Sequence, residues 1–259
     1  MFGEWYKLYE SFFPARPAQV EFLRHWLEPA WNSVPSGLDV ACGTGAYTRA
    51  LAKQGVAMVG VDLDDAMVAG AREKAAQETS CWTSAGAPVF LTGDMTLLPE
   101  VVGERGFDLV FCIGNSLPIG ATSPPTAPEL LARTRSMAHM VRTGGHLVIQ
   151  TVNFDRVLPE LSAKRELQLA PLKSGAATLQ RAYRLQIDGS VDFRVTVKGP
   201  GLPPDGMELA SRLHPLTAEQ LSGMIRDSGL RVQEKFGDFS GAPSWTHTSP
   251  ATILVAAKD

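Results

Sequence analysis

The run Leu38-Asp39-Val40-Ala41-Cys42-Gly43-Thr44-Gly45-Ala46-Tyr47-Thr48 holds the residues best placed to bind a ligand. Glycines at 43 and 45 let a ligand approach the main chain, and the helix expected next presents unpaired N–H groups at its start. Such a turn suits a nucleotide-like ligand, although a lone Gly-x-Gly equally makes a plain tight turn. Asp62 follows Gly45 by 17 residues and closes the next expected strand, where a carboxylate can accept both hydroxyls of a ribose. Met67 packs against the sugar or base, or belongs to the core. A dinucleotide fold would want a third glycine near position 48, but Thr48 stands there, and the acidic Asp39 is a second departure. Asn115 lies just beyond the fourth expected strand, where it either bonds a reacting group or shapes the loop. Trp245 and His247 sit in the last loop, and an antiparallel final strand would return them to the same sheet edge. His247 there is a proton acceptor or simply exposed. His25 and His139 fall on helical faces, and Cys42 has no adjacent histidine or arginine to activate it.

These residues need a scaffold. Short apolar runs at 37–41, 57–61, 89–91, 107–113 and 146–151 read as strands, and the stretches 47–53, 65–77 and 127–141 between them read as helices. That alternation predicts a doubly wound α/β fold whose parallel sheet is covered on both faces. Before it, residues 1–35 look helical: Val20, Leu23, Trp26, Leu27 and Trp31 recur at helical spacing up to the break at Pro35-Ser36-Gly37. After the core at 36–160, residues 161–215 read as an antiparallel insertion. In it, 182–187 and 191–197 alternate around Asp188-Gly189, a tight hairpin signal. Residues 216–259 complete the sheet with a helix capped by Thr217 and ending before Gly229, then strands at 230–236 and 251–257.

Composition excludes several classes. The 259 residues are 44% hydrophobic and 20% charged, enough for a buried core. The 24 lysines and arginines against 27 acids give a net charge of −3 with no basic run, which argues against nucleic acid and membrane surfaces. No apolar stretch nears the roughly 20 residues that cross a bilayer. The start, Met1 to Tyr6, lacks a signal-peptide layout, so a cytoplasmic protein is expected. Cys42, Cys81 and Cys112 form no metal-like cluster and read as reduced thiols.

With the acids and glycines in place, the sequence resembles the class I methyltransferases that use S-adenosylmethionine. Asp39, Ala41, Gly43 and Gly45 match that family's acid-x-Gly/Ala-x-Gly-x-Gly motif, and Asp62 matches the acid ending its second strand. Thr92-Gly93-Asp94-Met95 is similar to the segment around the adenine, 107–113 to the fourth-strand motif, and 144–149 to the turn into the fifth strand. The likeness covers most of 37–153 and resumes over about 213–257. It implies a seven-stranded, mostly parallel Rossmann-like sheet with an antiparallel last strand. It also implies S-adenosylmethionine as cofactor and S-adenosylhomocysteine as product. The cofactor residues it implies are Tyr9, Arg16, Asp39, Ala41, Gly43, Gly45, Asp62, Leu63, Met67, Asp94, Met95 and Ile113.

A finer likeness is to the glycine and sarcosine N-methyltransferases, carried by 39–45, Gly114-Asn115-Ser116 and Asn153-Phe154-Asp155. In that group an aromatic-rich first helix and an arginine close over the cofactor. Tyr6 and Tyr9 align with the aromatics, and Arg16 with the arginine that pairs with the methionine carboxylate. Tyr6 and Asn153 by this likeness, with Asn115, Trp245 and His247 by their places at the sheet edge, are the expected acceptor residues. One departure matters: where the group places an arginine that holds the substrate carboxylate, this chain has Val152, which cannot bind an anion. Glycine is therefore not the expected substrate. The reading is methyl transfer to a small molecule that is less polar or differently charged, nitrogen favoured over oxygen. A general base is not obligatory, and a homo-oligomer is compatible with the insertion's edge. A nicotinamide dinucleotide oxidoreductase and a non-catalytic cofactor-binding protein are the alternatives.

Overall fold

The architecture comes from a computed structural model describing residues 5–30, 32–120, 123–241 and 244–259. Met1 to Glu4 and Trp31, used above, lie outside those residues. Two helices open the chain, α1 (Trp5–Phe12) and α2 (Pro17–His25). The core follows as β1 (Ser36–Val40), α3 (Ala46–Ala52), β2 (Ala57–Asp62), α4 (Asp65–Gln77), β3 (Val89–Thr92), α5 (Leu98–Val102) and β4 (Phe107–Cys112). A two-residue strand, β5 (Ile119–Gly120), precedes α6 (Ala127–His139), β6 (Val141–Val152) and α7 (Phe154–Lys164). Then come β7 (Glu166–Gln168), β8 (Leu172–Ser174), β9 (Ala177–Leu185), β10 (Val191–Lys198) and β11 (Met207–Leu213). The chain closes with α8 (Ala218–Asp227), β12 (Arg231–Phe236) and β13 (Ala251–Ala257).

The main sheet has seven strands in the order β12-β13-β6-β4-β1-β2-β3, and only β13 runs against its neighbours. Every residue of β4 is buried, the pattern of a strand covered on both faces. Val110 and Cys112 face one core cluster with Leu130 and Met137 of α6, while Leu109 and Phe111 face another with Phe22 and Leu23 of α2 and Leu51 of α3. Helix starts are set locally. Thr126 with Glu129 and Thr217 with Gln220 form capping boxes at α6 and α8, and Asp64 accepts the Ala66 and Met67 N–H groups at α4. β1 is paired by β2 on one side and β4 on the other, so the chain reverses direction across the sheet there. That is where a doubly wound sheet opens a crevice at its carboxyl edge.

Three expectations change. The helix read to 141 ends at His139, and β6 begins at Val141 rather than at 146. Gly144, at φ 77°, is carried inside the strand because its N–H meets the Lys258 carbonyl at 2.8 Å while the Lys258 N–H meets Gly145 O at 3.1 Å. The Asp188-Gly189 hairpin is wider than a two-residue turn: Gly189 N–H returns to Gln186 O at 3.2 Å and only Gly189, at φ 81°, is left-handed. The insertion read from 161 keeps its first residues in α7, and its sheet is larger than expected. It runs β5-β11-β10-β9-β7 with β8 added on β9, so that its edge is supplied by the core loop after β4.

One ion cluster fastens α1 to the core. Arg49 of α3, nearly buried, bonds Glu10 at 2.7 Å and Glu78 at 2.7 Å, and Lys74 of α4 reaches Glu10 at 2.9 Å. Burial by itself would raise the Glu10 carboxyl, but the Lys74 hydrogen bond and the Arg49 charge outweigh it and hold it below its usual value. A depressed carboxyl stabilises the fold above its unfolded pKa of about 4.5 and loses that contribution as pH falls through the lower, folded value. Glu10→Gln should therefore lower the urea-unfolding free energy at neutral pH by about 1–3 kcal/mol and flatten the loss of stability below pH about 5. An unchanged stability and acid slope would mean the cluster carries no energy.

Candidate functional site

The turn after β1 is left-handed at Ala41 (φ 61°), Gly43 (φ 55°) and Gly45 (φ 72°). Gly45 caps α3, and a Cβ there would lie 2.6 Å from Phe90 Cζ and 3.2 Å from Ala71, so glycine is required for space as well as for φ. Gly43 N–H donates to Asp62 Oδ2 at 2.7 Å, and Asp64 N–H donates to Oδ1 at 3.0 Å. Asp62 thus ties the glycine turn to the loop after β2. Burial raises its carboxyl above the usual range, against the pull of these N–H groups. Tyr9 lies on the turn, its Cε1 3.4 Å from where a Gly43 Cβ would be. Burial and the Asp62 charge hold its phenol well above its ordinary pKa.

Asp39 stands apart from the other acid. It is 3% exposed and accepts the Thr48 hydroxyl at 2.7 Å, so it joins β1 to α3 beneath the turn. Burial pushes its carboxyl up to about 7. The same hydroxyl explains why Thr48 replaces a third glycine: it is fully buried and bonded to the strand. Burial also pushes the Cys42 thiol well up, away from a reactive thiolate.

Along the carboxyl edge, Leu63 is 64% exposed directly after Asp62, and Ile113 follows β4 at 7% exposure. Asp94 accepts from the Thr96 N–H and hydroxyl, both at 2.8 Å, starting the short helical turn Met95–Leu97, with Met95 partly buried on the core. Met67 is buried with Phe12 and the inner face of β9 and β10, with Tyr6 and Tyr9 packed on that cluster. Tyr6 presses on α4: a Cβ at Gly70 would come within 2.5 Å of its ring. One face of its ring is thus engaged by α4. Arg16 is exposed at the start of α2 with no ion pair among the described residues. Its charge reaches the Tyr47 phenol.

On the other side of the crevice, Gly114 (φ 82°) and Asn115 (φ 64°) follow β4, and Gln150 accepts the Gly114 N–H at 2.7 Å. Asn115 Oδ1 accepts the Val152 N–H at 2.9 Å, while its amide NH2 has no partner among the described residues. Both alternatives left open for Asn115 therefore meet in one side chain: its oxygen shapes the loop and its donor is available.

Three further expected acceptor residues have partners of their own. Asn153 is fully buried, and its amide nitrogen donates to the Thr246, His247 and Ser249 carbonyls at 3.1, 3.3 and 2.9 Å. It holds the last loop and is out of reach of a ligand. His247 is 80% exposed, 3.9 Å from Asp155 and stacked edge-on against Trp245. Trp245 is engaged by Thr252, which accepts its indole N–H at 3.0 Å, and by the Lys235 ammonium 4.5 Å above its ring. Sequence reading missed Glu10, Arg49 and the inward face of β9, where Arg181 stands between buried Leu179 and Tyr183. The period-two alternation of that strand was the available signal. Among the described residues no group of three or more His, Cys, Asp or Glu is placed to hold a metal, and no helix is long and apolar enough to cross a membrane.

Comparison with known proteins agrees with this geometry. The methyltransferase domain family matches residues 38–145. Glycine N-methyltransferase of Rattus norvegicus is 34% identical over 222 residues, spanning 78% of this chain and 72% of the rat protein. That of Oryctolagus cuniculus is 35% identical over 221 residues, with 78% and 72% covered. A solved S-adenosylmethionine-dependent methyltransferase from Clostridium acetobutylicum is similar in fold with a TM-score of 0.77 at 13% identity, covering 99% of this chain and 98% of that one. The sugar N-methyltransferase KedS8 from a Streptoalloteichus species gives a TM-score of 0.63 at 20% identity, covering 100% and 92%.

Asn153→Ala should strip three carbonyls of their donor, cost about 1–3 kcal/mol in chemical denaturation, and speed amide exchange and proteolysis across 244–249. Exchange in that loop equal to wild type would remove Asn153 from the clamping role.

Proposed function

The chain belongs to the class I S-adenosylmethionine-dependent methyltransferases, and on that premise we propose that it methylates a nitrogen of a small-molecule acceptor, leaving S-adenosylhomocysteine. The observation that carries the reading is the left-handed turn at 41–45, joined through the Gly43 N–H to the Asp62 carboxylate and covered by Tyr9. The residues present fit the cofactor. Gly43, with no side chain of its own, would let its amino-acid portion approach the main chain beneath Tyr9, Asp62 offers carboxylate oxygens to ribose hydroxyls, and exposed Leu63 with Met95 and Ile113 offers apolar surface to the adenine. Arg16, unpaired and exposed, supplies a fork for the methionine carboxylate.

Held there by the glycine turn and Asp62, the cofactor would supply a methyl group that is already electrophilic. The chain's own work is to position and to dry. The crevice between the glycine turn and Asn115 must hold the nitrogen lone pair in line, at roughly 3–3.5 Å from the methyl carbon. The Asn115 NH2 is the donor on hand to orient the acceptor. α1, fixed by Glu10, and the second sheet above it exclude water. The acceptor amine must arrive neutral or lose its proton to solvent, since an ammonium has no lone pair. Nitrogen is favoured because the rat and rabbit relatives and the KedS8 structure are named as N-methyltransferases. The end of β6 offers the acceptor no charge, since the side chain there is the apolar Val152.

Calorimetric titration with S-adenosylmethionine, S-adenosylhomocysteine and a nicotinamide dinucleotide tests the reading: the first two should bind and the third should not, and the reverse pattern would overturn it. Asp62→Ala should weaken cofactor binding far more than His247→Ala, and equal affinities would remove Asp62 from the ribose. Arg16→Ala should cost about 1.5–3 kcal/mol of cofactor affinity through the lost charge-assisted pair, and an unchanged Kd would put another residue on the methionine carboxylate.

A further inference from the structure

The inner face of β9 to β11 is apolar apart from Ser211 and one charge. Leu179 and Tyr183 of β9 are buried at 0% and 4% exposure, so Arg181 between them faces the same way. Leu179 belongs to the cluster that contains Met67 and packs Tyr9, which lies on the glycine turn. Tyr183 belongs to the cluster that contains Phe154 and packs Val152 at the end of β6. Arg181 therefore hangs between the cofactor wall and the acceptor wall of the crevice.

It is poorly satisfied there. Its Nε is buried without a hydrogen-bond partner, and its bond from Nη2 to the Ala170 carbonyl is stretched to 3.4 Å. No carboxylate among the described residues pairs with it. Burial lowers its guanidinium from the usual range, and the charge of Arg16 adds to that effect. On the outer face the situation is ordinary: Arg212 is met by Asp192 at 3.1 Å. A half-buried guanidinium with no acid paired to it is costly unless an anion joins.

We propose that Arg181 receives a carboxylate carried by the methyl acceptor, so that the acceptor is an amine with an acidic arm and the second sheet selects it. The proposal deepens the methyltransferase reading and rests on it. Val152 offers no charge on the opposite wall, so the arm is held from above. A guanidinium near the acceptor also disfavours an ammonium and favours the neutral amine that the reaction needs.

The test uses the whole protein saturated with S-adenosylhomocysteine, so that the methionine carboxylate already occupies its own site, and acetate as the probe at constant ionic strength. In Arg181→Gln the acetate Kd should rise by about tenfold or more, while Arg181→Lys keeps part of the binding, outer-face Arg194→Gln matches wild type, and S-adenosylhomocysteine affinity stays within about twofold throughout. Retained cofactor affinity also shows that the variants are folded. Acetate that binds Arg181→Gln as well as wild type, or does not bind wild type at all, overturns the proposal. So does an equal loss of S-adenosylhomocysteine affinity, which would put Arg181 on the cofactor's carboxylate. Failure of wild type to bind S-adenosylhomocysteine would instead overturn the underlying reading, and acetate titration of the unliganded protein would still report on Arg181.

Discussion

The structure turns on keeping three residues of one five-residue turn in left-handed conformation. Such a residue costs roughly 1–2 kcal/mol when it carries a Cβ, so two of the three are glycine and the third, Ala41, has the smallest side chain that remains. The turn is then pinned from several directions. Cys42 N–H reaches Val61 O at 3.0 Å, Gly45 N–H reaches Cys42 O at 2.9 Å, and Gly43 N–H reaches Asp62. Beneath it, Asp39 and Thr48 fix the angle at which α3 leaves β1. Phe90 fills the space that a side chain at 45 would need. The parallel register of β1 on β2 is what brings Asp62 within reach, so the sheet and the site are one construction.

Local signals made much of this legible. Continuous apolar runs announced the parallel strands, and Thr217 with Gln220 announced α8. Asp62 was readable from its distance to the turn because a crossover helix fixes that spacing. What escaped has partners far away in sequence. Gly144 and Gly145 look like a turn until Lys258 pairs with them, and Ile119-Gly120 looks like loop until Leu213 and Arg212 lie beside it. Asn153 illustrates the same limit at the site. The likeness carried by Asn153-Phe154-Asp155 suggested an acceptor ligand, but three carbonyls from a loop about 95 residues later surround its amide. His247 was left open between proton acceptor and exposed residue, and its fractional exposure favours the second.

The second sheet is more than a cover, because it is continuous with the acceptor side of the crevice. Four residues beyond Asn115, Ile119 and Gly120 pair with Leu213 and Arg212, and β11 pairs with β10, which pairs with β9 and so with Arg181. Gly120 sits against the Ser123 carbonyl with no room for a side chain, which fixes this junction. Arg133 of α6 adds bonds to the Leu117 and Ile119 carbonyls at 2.7 and 2.8 Å. The loop that carries Asn115 is thus braced from the core while its far end enters the upper sheet. On the opposite flank, α1 links that sheet to the glycine turn through Phe12, Tyr9 and Glu10.

This arrangement separates two tasks that a single rigid wall would have to share. The lower sheet supplies a fixed turn and a fixed acid, which suit a ligand that does not vary. The upper sheet supplies a mostly apolar face interrupted by one arginine, and its strands are more exposed than β1 or β4. Changes on that face cost the core little, since the seven-stranded sheet buries its own two clusters without it. Selection of the acceptor can therefore move between walls of the crevice while the cofactor side stays constrained by backbone geometry. An apolar residue at 152 and a cation at 181 are the physical form that such a shift would take: the anion-binding charge leaves the end of a buried strand, where an unpaired guanidinium would be expensive, and appears on a half-buried strand where water and ligand can exchange.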